Sequence, residues 1–89
     1  MPDRIGMIRE RLEQALSPDH IEIIDESYQH AGHAGAASGG GHFNVNIISE
    51  KFSGKSPLER HRMVYLAVDD LMRTEIHALS IIAKTPGEI

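Results

Sequence analysis

The sequence predicts a small α+β domain: a three-stranded sheet with helices packed on one face, in the order helix, strand, strand, helix, short helical turn, strand. Three observations carry this expectation. Two strand-like segments, HIEIIDES at 20–27 and HFNVNIISE at 42–50, flank a glycine-rich stretch and read as an antiparallel pair with one buried face. A helix start, SPLE at 56–59, stands between that pair and a third apolar segment, IHALSIIA at 76–83, so a helical crossover can bring the last strand into the sheet. The length of 89 residues suits one domain, spanning 1–89 with its core at about 4–83, and only a modest interior.

Each element has a local cause. Over 4–16, Ile5, Ile8, Leu12 and Ala15 or Leu16 recur at helical spacing, with Asp3 as N-cap and Ser17-Pro18 as the stop. In 42–50, Phe43, Val45 and Ile47 alternate with Asn44, Asn46 and Ile48. KFSGK at 51–55 reads as a turn around Gly54. Ser56, Pro57 and Glu59 make a capping box with proline at the first helical position, and the helix is expected to run to about residue 70. Its apolar stripe is expected to be Leu58, Val64, Tyr65, Val68, Leu71 and Met72. The last strand is apolar on both faces, which predicts that it is well covered within the sheet. TPGEI reads as a loose tail.

Residues 28–41 hold five glycines and five alanines or serines with no apolar period. A loop of about 14 residues is long for so small a domain, and such loops are functional or disordered. The segment 29–41 is expected to be the most flexible internal part of the chain.

Composition removes several function classes. With no cysteine there is no disulfide framework, no all-cysteine zinc site and no iron–sulfur site complete within the chain. No run of 18 apolar residues is present to span a membrane, and the first residues lack the features of a secretory signal, so a cytoplasmic protein is expected. Net charge is −4, which disfavours a general nucleic-acid binder, but it is unevenly placed. Residues 1–50 hold three basic and eight acidic side chains, against six and five in 51–89. Any anion-binding surface therefore belongs to the second half. No nucleophile motif is present, Asp25 and Glu26 should point to opposite faces of a strand, and SGGG lacks the ending of a phosphate loop, so an enzyme is not expected.

The remaining chemistry lies in six histidines. His77 begins an otherwise apolar strand, where rigid backbone fixes its direction; it is either capped by a partner or open at the sheet edge. His33, in AGHAG, has small neighbours that leave its ring uncrowded, and His30 stands three residues before it. Two imidazoles can ligate a transition metal without completing a site. His42 is expected to anchor the end of the loop by a hydrogen bond. His61 is expected on or beside the packed face of its helix, half-buried and structural. Lys51, Lys55, Arg60 and Arg62 form a candidate basic patch, diluted by neighbouring acids.

Several ordered motifs, MIRERLEQAL, IEIIDESYQHAGHAG, HFNVNIISEKFSGKSPLERHRMVY and IHALSI, together resemble the BolA family over roughly residues 7–83. The resemblance implies an α-β-β-α-α-β fold related to the class II KH domain. It also implies a partnership with a monothiol glutaredoxin, in which the pair holds a shared [2Fe–2S] cluster. The glutaredoxin supplies its cysteine and bound glutathione. The BolA-like chain supplies a histidine at the front of the last strand, here His77, and a loop residue, which falls on His33 with His30 as the near alternative. No cluster is then expected in the isolated chain. Some members are described as DNA-binding regulators of transcription, and the family's RHR motif is Arg60, His61 and Arg62 here. The GxxG loop of RNA-binding KH domains is missing.

Overall fold

The computed structural model describes residues 3–26 and 41–88. The expectation of flexibility for 29–41 falls almost wholly outside them. The elements are helix α1 (Arg4–Leu16), strands β1 (His20–Asp25) and β2 (Gly41–Ile48), helix α2 (Pro57–Ala67) and strand β3 (Ile76–Lys84). Single 3-10 turns cover Glu50–Phe52, Asp69–Leu71 and Pro86–Glu88.

Helix boundaries follow the chemistry of the termini. The Asp3 carboxylate accepts the Gly6 N–H at the start of α1. At its end Ser17 adopts a left-handed conformation, φ 43°, and donates its N–H to the Glu13 carbonyl. The expected capping box is present on α2: the Glu59 N–H donates to Ser56 Oγ at 3.2 Å, and the Ser56 N–H to Glu59 Oε1 at 2.9 Å. That N–H is the main reason the Glu59 carboxyl is held below its ordinary range.

The sheet order is β1-β2-β3, with β2 antiparallel to β1 and parallel to β3. Phe43, Val45 and Ile47 face inward from the central strand and are fully buried. Ile8, Leu12 and Leu16 of α1, Val64 of α2 and Val68 and Leu71 beyond it complete the core together with Ile23, Phe52, Ile76 and Leu79. Both helices therefore cover one face, as expected.

Five expectations need correction. β3 is an edge strand rather than a covered one, and Ile82 on its outer face is 49% exposed. Two apolar faces pointed to β3 as the covered strand, yet the topology gives the alternating β2 a partner on each side. The stripe assigned to α2 merges two faces. At about 100° per residue, Leu58 and Tyr65 lie roughly 100–120° around the helix from Val64. Val64, Val68 and Leu71 are buried, whereas Leu58 is 60% exposed. His61 belongs to the Leu58 face and is exposed, not half-buried. The tail is not loose either, since Pro86–Glu88 forms a turn docked on α2. α2 itself stops at Ala67, short of residue 70.

A buried serine ties the layers together. Ser49 Oγ donates to the Leu16 carbonyl at 2.6 Å and accepts the Lys51 N–H at 3.1 Å. The Ser49 N–H donates to the Lys84 carbonyl at 2.9 Å, which joins the end of α1, the end of β2 and the end of β3.

Candidate metal-ligand site

Strand alternation alone would not bury both Ile76 and Leu79, because they are three residues apart. The ladder resolves this with a β-bulge. Gly41 pairs with Ile76 and His42 with Ala78, so two residues of β3 oppose one step of β2. Ile76 and Leu79 then both face the core, and His77 is turned out to solvent.

The bulge is held from several sides. Tyr65 of α2 donates its hydroxyl to the Leu79 carbonyl at 3.0 Å. Arg4 Nε of α1 donates to Glu75 Oε2 at 3.3 Å, one residue before β3. His42 Nε2 lies 3.2 Å from Ser80 Oγ across the outer face, the kind of anchoring hydrogen bond expected of it at the loop's end. The chain leaves the described sheet at Glu26, whose N–H donates to the His42 carbonyl at 2.8 Å. It returns at Gly41, whose N–H donates to the Glu75 carbonyl at 3.1 Å. Both ends of the segment that carries His30 and His33 are thus pinned at the end of β2 that pairs with the start of β3. His30 and His33 themselves lie outside the described residues. Among the described residues no group of three or more His, Asp or Glu side chains is disposed to hold a metal.

The donor chemistry suits a shared site and not a closed one. An exposed imidazole on a braced strand can accept a metal without displacing core residues, but this chain has no thiolate to add.

The four candidate basic residues are not equally available. Lys51 and Lys55 are exposed. Arg62 lines a shallow concavity of about 570 Å³ on the outer face of α2, with Leu58, His61, Tyr65 and Leu66. Arg60 is committed elsewhere. Its Nε donates to the Lys55 carbonyl at 2.9 Å and its Nη1 to the Ala83 carbonyl at 3.1 Å. Nη1 and Nη2 also grip Glu88 Oε1 and Oε2 at 2.6 and 3.0 Å. The Thr85 N–H donates to Glu88 Oε1 at 2.7 Å. Arg60 first, and then this N–H, pull the Glu88 carboxyl down to about 2. Sequence reading missed Glu88, although a signal was present. TPGE at 85–88 repeats the pattern of SPLE at 56–59, a hydroxyl residue, proline and a glutamate that reaches back to the first backbone N–H.

The family model for BolA-like protein matches residues 12–88. The chain belongs to the BolA family. Members of this family are non-catalytic, in keeping with the absence of any nucleophile motif in the sequence. The solved structure of BolA1 from Arabidopsis thaliana superposes with a TM-score of 0.85 at 40% identity, covering 100% of this chain and 99% of that one. SufE-like protein 1, chloroplastic/mitochondrial, of Arabidopsis thaliana is 48% identical over 92% of this chain and 24% of its own length. Protein BOLA1, chloroplastic, from the same plant is 45% identical over 97% of this chain and 56% of its own. The DNA-binding transcriptional regulator BolA of Escherichia coli is 42% identical over 84% of this chain and 72% of its own. This BolA-family chain thus spans between a quarter and just over half of the two plant relatives.

The expectation of a cytoplasmic protein does not stand, because the plant relatives are chloroplastic or mitochondrial proteins. Composition had no power to decide this. A core of this size and charge meets the same physical requirements in any aqueous compartment. Among the described residues no helix is long and apolar enough to cross a membrane.

Proposed function

We propose that this chain is a non-enzymatic partner of a monothiol glutaredoxin, and that the pair shares a [2Fe–2S] cluster in iron–sulfur trafficking, assembly or iron-linked regulation. His77 and His33 are the ligands from this chain, with His30 the alternative in the loop. The observation that carries the reading is the bulge, which exposes His77 on a braced strand beside the two anchored ends of the histidine-bearing segment. The chain has no cysteine, so the thiolates come from the glutaredoxin cysteine and its bound glutathione. When bound, the cluster supplies one-electron and cargo chemistry, and imidazole in place of thiolate makes it less negative and raises its potential. This chain's own task is to present two neutral nitrogen donors in fixed directions and to dock.

The test is anaerobic reconstitution of the mixed complex with glutathione, followed by visible absorption and circular dichroism. His77→Ala should abolish the heterodimer spectrum or return it to that of the glutaredoxin homodimer. His33→Ala should weaken or alter it, and His30→Ala should leave it nearly unchanged. Silent His77→Ala and His33→Ala variants would refute the site. A damaging His30→Ala with a silent His33→Ala would move the loop ligand.

A second reading, a DNA-binding regulator, is favoured by the name of the bacterial relative. Its phosphate contacts fall to Lys51, Lys55 and Arg62, because Arg60 is engaged with Glu88. Binding of this kind is steeply salt-dependent. Tight duplex binding that survives removal of the three charges would rule this surface out.

A further inference from the structure

The grip on Glu88 has the chemistry of an anion site. Three donors converge on one carboxylate: Arg60 Nη1, Arg60 Nη2 and the Thr85 N–H. The planar fork of a guanidinium matches two oxygens of a phosphate as well as those of a carboxylate. The fork does not depend on Glu88 for its position. Two backbone carbonyls, Lys55 and Ala83, hold Arg60 from behind, and its side chain is only 13% exposed. The Thr85 N–H follows directly on β3, whose end is tied by the Ser49 N–H to the Lys84 carbonyl. The occupant, by contrast, can leave: the Glu88 side chain is 45% exposed and sits one 3-10 turn beyond Thr85. The nearest acid on α2, Glu59, is bound to its own helix start and lies close enough to Lys55 and Arg62 to be stabilised by both.

We propose that Arg60 and the Thr85 N–H form a seat for a phosphate dianion, inorganic phosphate or a phosphomonoester, which Glu88 occupies as a tethered self-ligand. A tethered carboxylate acts at an effective concentration of about millimolar or above, so an external anion binds only by displacing it. The seat thereby stays closed to dilute phosphate and opens to a phosphorylated group delivered at high local concentration. A dianion with three terminal oxygens serves all three donors. A diester, with one negative charge and two free oxygens, serves them less well. This assignment is independent of the cluster site, which lies at the other end of β3.

The experiment titrates inorganic phosphate into the whole protein and reads the Thr85 amide and the Arg60 Nε–H by NMR, with chloride at matched ionic strength as the control. In Glu88→Gln, both signals should move saturably with inorganic phosphate and with phosphoserine. In the wild-type chain the same saturation should need about tenfold more ligand or greater. Dimethyl phosphate should bind Glu88→Gln about tenfold more weakly than inorganic phosphate. Adding Arg60→Lys to Glu88→Gln should remove the saturable response, because the fork is lost. Glu88→Ala supplies the same comparison should the glutamine variant fail to fold. The proposal is overturned if phosphate moves these signals no more than chloride does. It is overturned equally if wild type and Glu88→Gln bind phosphate alike, or if dimethyl phosphate binds as well as phosphate.

Discussion

The two ends of β3 lie beside polar groups of very different exposure. At the first end His77 stands on a bulge, exposed, with the strand held at the Leu79 carbonyl by Tyr65 and Glu75 held by Arg4. At the last end, about 26 Å along the strand, Arg60 is nearly covered and its donors are taken by Lys55, Ala83 and Glu88. One end leaves an imidazole at the surface. The other satisfies its charge internally and joins β3 to the start of α2. The difference teaches that a conspicuous polar motif is read by what already holds it: RHR looked like a charged surface in sequence, yet its first arginine works as a clasp.

The comparison breaks if the closed end proves dispensable to the fold or the open end indispensable. The largest effect should come from Phe52→Ala, which empties a fully buried position in the turn that follows β2 at the closed end. A loss of about 3–5 kcal/mol in urea unfolding is expected. Ser49→Ala comes next. It leaves the buried Leu16 carbonyl without its partner, and a loss of about 1–3 kcal/mol is expected by the same measurement.

The clasp itself should show as a pH dependence. The Glu88 carboxyl sits at about 2 in the fold, against an ordinary value of 4.5. A lowered carboxylate stabilises the fold above its ordinary value, and that contribution disappears as the pH falls toward the lowered one. The stability difference between wild type and Glu88→Gln should therefore be constant above about pH 5 and close progressively toward about pH 2. Protection of the Thr85 amide, measured against its intrinsic exchange rate at each pH, should fall over the same range. A difference that does not change with pH would mean that the carboxylate is not the group at work. The smallest effect on folding should be that of His77→Ala, within about 0.5 kcal/mol of wild type, even where the same change abolishes the mixed-complex spectrum. A large loss of stability there would recast His77 as a structural residue.

Much of this was legible in the residues. Period-two alternation marked β2, spacing and caps marked both helices, and the capping box at Ser56 was readable atom by atom because its partners are three residues apart. These are local signals, and the residues alone set both helix starts, the end of α1, the inward face of the central strand and the absence of any thiolate. Tertiary structure decided what depends on partners distant in the chain. It made β3 an edge, split the apolar residues of α2 into a buried face and an exposed one that carries His61, re-aimed His77 through a bulge and closed Arg60 on Glu88. The physical reason is common to all four. A side chain's periodicity tells which way it points relative to its own element, but whether that direction meets core, water or a carboxylate 28 residues away is set only when the elements pack.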